Sequence, residues 1–139
     1  MAVSAQERKL LQVCITTACL VPILAGIGGI LKGTDLLSWG GSIDLDSHFR
    51  YLSGLLLAIG LGFLSTVKEI EKHTVRFQTL SAIVVIGGLG RLYGVMLYGA
   101  PNPPMEGALV MELLVTPGLC WWQARVAIPP KNPPKRRNK

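Results

Sequence analysis

Charge is scarce in this chain and is concentrated outside its long apolar stretches. Only 16% of the residues are Asp, Glu, Lys or Arg, against about 25% in an average soluble domain. That shortage, together with a 50% hydrophobic content, excludes an ordinary soluble core-and-surface domain and indicates a membrane protein. Cysteine is limited to Cys14, Cys19 and Cys120. All three lie in apolar runs without CxxC, haem or zinc spacing, so they read as small packing residues. No HExxH is present, Ser53 and Ser65 lack a GxSxG context, and His73 stands in a hydrophilic link. With no nucleophile beside a base and no metal with an open position, an enzyme is not predicted. Inverted repeats with broken helices are missing as well, which argues against a secondary transporter.

The net charge of +6 raises nucleic acid as a partner, but five basic residues crowd into Lys131–Lys139 with no aromatics interleaved. A cytoplasmic flank facing anionic lipid heads accounts for them, and no nucleic acid is expected.

Four apolar runs remain, over about 10–31, 49–67, 79–100 and 105–126, each long enough to cross the ~30 Å hydrocarbon core as a helix. The expected fold class is therefore all-α, a polytopic membrane four-helix bundle over 1–128, followed by a basic, Pro-rich tail at 129–139. The first run exceeds the core of a signal peptide and is read as a retained helix bent at Pro22, with cleavage near Ala25 as the alternative. Trp39 in the first link suits the interfacial belt, and Asp46 or Ser47 suits the N-cap of the second helix. The PNPP link at Pro101–Pro104 reads as a tight non-helical turn, and Pro117 as a kink in the fourth run. Lys and Arg gather at the N-terminus, in the link Val67–Gln78 and in the tail, which places both termini in the cytoplasm. The expected location is multi-pass, in a bacterial inner membrane or a related energy-converting membrane.

Arg91 is the one charge in the run Thr79–Ala100, and Glu112 interrupts the last run. Arg91 precedes Tyr98 by seven residues and Glu112 follows Met105 by seven, so both sit ~10 Å below one membrane face. A charge at that depth faces the protein interior and finds a partner. Asp46, Arg50, Gly54, Ala58 and Gly62 recur every four residues on the second helix, and Gly87, Arg91 and Gly94 share a side of the third, where Gly90 and Gly94 form GxxxG. Small residues at this spacing let membrane helices approach, so Gly54, Ala58, Gly62, Gly87, Gly90 and Gly94 are expected at helix packing surfaces. The same faces carry Asp46, His48, Arg50, Arg91 and Glu112 to one end as a buried polar cluster or ligand site. His48, with Asp46 and Glu106 near it, could ligate a metal or pigment magnesium, but the spacing matches no metal motif. No metal or other cofactor is predicted, though a pigment or a lipid is compatible with the pattern.

Asp46-Ser-His48-Phe49-Arg50, Gly87-Gly88-Leu89-Gly90-Arg91, Tyr98-Gly99-Ala100-Pro101 and the Glu112 helix ending in Pro117 together resemble the DUF4345 family. These are small bacterial four-helix membrane proteins without an established function. The likeness spans about Leu10 to Trp122 and implies the topology and the grouping of the polar positions, but no reaction. The layout is also similar to that of small sterol-scaffold membrane proteins. The function expected is a non-enzymatic structural or accessory subunit of a larger membrane complex. Its partners would be the bilayer and other membrane subunits or further copies of itself. The alternative is binding or transport of a lipid-like or small anionic ligand at the Arg/Glu cluster.

Overall fold

The computed structural model describes residues 5–38 and 40–127, and these are helical with no strand among them. Trp39 and the tail 129–139 lie outside the described residues. Three long helices come first: α1 Ala5–Lys32, α2 Ile43–Leu64 and α3 Thr74–Tyr98. Each is long and apolar enough to cross a membrane. The fourth apolar run is divided into α4 Pro103–Val110, a π turn Met111–Val115 and α5 Thr116–Val126.

Several boundaries differ from the sequence expectation for local chemical reasons. Helix α2 opens at Ile43 because Ser42, rather than Asp46 or Ser47, is the N-cap, its side chain accepting from the Leu45 N–H. Helix α3 starts at Thr74, so the polar residues before Thr79 form its first turn. The PNPP link is helical in its second half. Asn102 caps α4 by accepting from the Met105 N–H, and Pro103 and Pro104 occupy the first turn, where a missing N–H costs nothing. Pro22 is retained within α1, where it packs against α2: a Cβ built on Gly60 would lie 3.3 Å from Pro22 Cγ and 2.8 Å from Ile23 Cγ1.

The backbones of α1 and α2 are pressed together at positions other than the expected small-residue stripe. A Cβ on Gly26 would meet Leu57 N and Ser53 O at 2.8 Å, and one on Gly29 would meet Ser53 Oγ at 2.1 Å. Of the stripe, Gly62 does pack, with Leu80 of α3 3.1 Å from a Cβ built there. Around Gly54, Gly87, Gly90 and Gly94 a Cβ would meet nothing within 4 Å, and Ala58 is exposed. Helix crossing angle and rotation decide which small residue lies at the contact, and the four-residue period leaves both undetermined. Gly88 is the close contact of α3, a Cβ there lying 2.8 Å from Glu112 Cβ and Leu113 Cδ2.

Leu11, Ile15, Cys19, Phe63, Ile70, Phe77 and Val126 are the buried core. It gathers where the start of α1, the α2–α3 link and the end of α5 meet. Phe63 and Phe77 pack edge to face there, with centroids 4.9 Å apart. Toward the other end large apolar side chains face outward, Leu24, Ile86, Met96 and Leu114 each at 65–68% exposure. Such surface is costly in water and suits lipid.

Candidate functional site

Arg91 lies on α3 one turn after Gly88, whose missing side chain lets Glu112 approach the helix. Its guanidinium donates through Nε to Glu112 Oε2 and through Nη2 to Oε1, both at 3.0 Å, and Nη1 points to Met105 Sδ at 3.0 Å. This is the fork-on-fork pairing that arginine geometry favours. The side chains retain 33% and 18% exposure. Glu112 is placed by the π turn. Pro117 has no N–H to continue the ordinary ladder, and Thr116 donates through both its backbone N–H and its hydroxyl to the Met111 carbonyl five residues back. The extra residue in this turn changes the direction in which Met111–Val115 project, relative to an unbroken α-helix.

Asp46 and Arg50 form a separate group. Arg50 Nε donates to Asp46 Oδ2 at 2.7 Å, and Nη1 donates to the carbonyls of Ile30 and of Leu31. The Asp46 Oδ1 accepts from Thr34 N at 3.0 Å. Gly33, at φ +60°, passes beneath this pair, and a Cβ there would fall 1.8 Å from Asp46 Oδ1. The group thus satisfies the open carbonyls at the end of α1 and ties the turn Gly33–Leu37 to α2, a capping role. The hydrogen bonds and ion pairs among the described residues join Arg91 to Glu112 and Arg50 to Asp46, without linking the two groups. The single cluster expected from the sequence is therefore two, because Asp46 and Arg50 turn to α1 rather than to α3. His48 is exposed, with its ring 6.4 Å from that of Tyr51, and Glu106 is exposed on α4. Among the described residues no three His, Cys, Asp or Glu side chains converge on a metal position.

A third polar group was not singled out in the sequence. At the core end, Gln123 is fully buried and donates to Ile70 O at 2.8 Å and Thr74 Oγ1 at 3.0 Å. Gln12 donates to Val67 O at 2.7 Å, Arg8 pairs with Glu71 at 3.1 Å, and Trp122 Nε1 donates to Glu7 Oε1 at 3.3 Å. The available signal is the lone amide near the edge of the first and of the last apolar run, Gln12 and Gln123, since a buried amide must find a partner. These bonds fasten α1, the α2–α3 link and α5 to one another at a common level.

No curated protein sequence and no solved structure matches the chain. Residues 10–123 match the family described as "Domain of unknown function (DUF4345)", and the chain belongs to that family.

Proposed function

We propose that this chain is a four-pass integral membrane protein, non-enzymatic, serving as a structural or accessory subunit of a larger membrane complex. The observation that carries this reading is the closure of Arg91 by Glu112. Two carboxylate oxygens and a thioether occupy three guanidinium nitrogens, so the charge is spent inside the protein. Partnered in this way, Arg91 can reside within a bilayer, where an unpaired arginine costs several kcal/mol. The fourth crossing is Pro103–Val126, about 36 Å at the helical rise despite its π turn. Arg8 and Lys9, then Lys68, Lys72 and Arg76, and then the tail support cytoplasmic termini by the positive-inside rule, and the membrane in this reading is a bacterial inner or related energy-converting one. Residues 1–128 would then be one bundle and 129–139 its cytoplasmic tail. The outward apolar faces meet lipid and other subunits or further copies, and no cofactor or nucleic acid enters this reading.

A specific observation also favours a second reading, a small anionic or lipid-like ligand at Arg91: π turns inside α-helices are frequent at functional sites, and Glu112 sits in one. Gentle detergent purification from the native membrane, with mass spectrometry of proteins and lipids in the peak, separates the two. The expected result is a membrane protein partner in stoichiometric amount. A lone chain carrying one enriched small anion would instead make Arg91 the centre of a binding site.

A further inference from the structure

We infer that the groove between α3 and α5 seats one anionic phospholipid, its headgroup at Arg125, its ester region at Ser81 and an acyl chain along the apolar floor. The inference rests on the membrane reading above. The groove runs between Ser81, Ala82 and Val85 on one side and Pro117, Cys120 and Trp121 on the other.

Two observations separate it from the rest of the outward apolar surface. Ser81 is only 4% exposed, yet its hydroxyl has no hydrogen-bond partner. Helical Thr16, Ser53 and Thr79 each donate to the carbonyl one turn back, so Ser81 departs from the habit of its neighbours. A hydroxyl buried without a partner is costly, and a polar atom delivered into the groove would remove that cost. Arg125 supplies the second observation. Its guanidinium stacks on the Trp121 ring, 4.8 Å from the centroid, and no carboxylate among the described residues lies within ion-pair distance of it. Stacking fixes the plane and leaves the N–H edges open, the presentation that suits a phosphate.

The two groups also stand at suitable depths. Gln123 bonds Thr74, so the end of α5 and the start of α3 share a level. Ser81 lies seven residues past Thr74, ~10 Å below that level, and Trp121 lies two residues before Gln123, ~3 Å below it. Resting on Trp121, the guanidinium is therefore ~7 Å nearer the surface than the hydroxyl, with Pro117 about level with Ser81 and Val85 deeper still. Charge, hydrogen-bonding group and apolar floor follow in the order of phosphate, ester and acyl chain. A helix from a second copy would fill the floor but answers neither Arg125 nor Ser81.

The test uses the full chain in phosphatidylcholine vesicles containing, at equal mole fraction, either phosphatidylglycerol or phosphatidylcholine with brominated chains. Quenching of Trp121 is read as the difference between the unaltered chain and Trp121→Phe. Brominated phosphatidylglycerol should quench about fivefold more effectively, the enrichment that one basic side chain confers near a membrane surface. Arg125→Gln, which removes the charge, and Ala82→Leu, which fills the groove at an exposed position and keeps every charge, should each bring the ratio close to one. Equal quenching in the unaltered chain would overturn the proposal. So would a ratio that survives either substitution, since the basic tail alone would then be gathering the anionic lipid. Cross-linking of Ala82→Cys between two chains would put a second copy in the groove instead. Quenching by neither lipid, from a chain that does not float with the vesicles, would defeat the membrane reading itself.

Discussion

Arg91→Leu and Glu112→Leu should each destabilise the protein by on the order of 3 kcal/mol, while the double variant regains most of that loss. Each single change leaves its partner's charge unmatched on an apolar helix. Removal of both charges substitutes two aliphatic side chains in a site already lined by Leu113 and the stem of Met105. The coupling is large because the two bonds are parallel and close on one carboxylate, both at 3.0 Å. Thermal unfolding of the four proteins in one detergent, followed by loss of the monodisperse peak, gives the cycle. Additive losses without coupling would mean that Arg91 serves something other than Glu112, and a ligand would be the first candidate.

Gly26→Leu should cost about 3 kcal/mol or more and loosen α1 from α2. The atoms at 2.8 Å from a Cβ at Gly26 include Leu57 N and Ser53 O, which are backbone and cannot swing aside as a side-chain tip would. The helices must separate, and the Arg50 bonds to Ile30 and Leu31 at the next turn would weaken with them. Gly90→Ala is the matched control. A Cβ there meets nothing within 4 Å, so its stability should stay within about 0.5 kcal/mol of the unaltered chain. Equal sensitivity at both positions would show that Gly90 packs against something beyond this chain.

Those two glycines illustrate what can be read from one dimension. Helical content, the three long apolar helices and the family follow from composition, run length and a handful of motifs, all properties carried along the chain. Arg91 and Glu112 also stand out along the chain, as isolated opposite charges at equal counted depth, and the structure joins them. The destination of Arg50 was not legible. Its i, i+4 partner Asp46 can be counted, but its donation to α1 carbonyls depends on how the turn Gly33–Leu37 brings α1 back over α2. Rotation of each helix about its axis likewise decides that Gly26, Gly29, Gly60 and Gly88 are the close approaches, and a four-residue repeat of small residues does not reveal it. Pro117 announces a break but not its form. The π turn arises from the combined demands of Pro117, Thr116 and the pairing of Glu112. At Asn102-Pro103-Pro104 the prolines signal a break in the helix from sequence alone, whereas first-turn positions welcome them.

Pairing of Arg91 with Glu112 inside a bilayer requires that α3 cross the membrane and that the chain return through Pro103–Val126. Labelling of single cysteines by an impermeant thiol reagent, in intact and opened cells, tests this most directly, with Cys14, Cys19 and Cys120 replaced by alanine. Asp44→Cys and Ala100→Cys should label in intact cells, and Lys68→Cys only after the membrane is opened, all three positions being exposed in the structure. Labelling of Ala100→Cys and Lys68→Cys from the same side would contradict a crossing by α3 and remove Arg91 from the membrane.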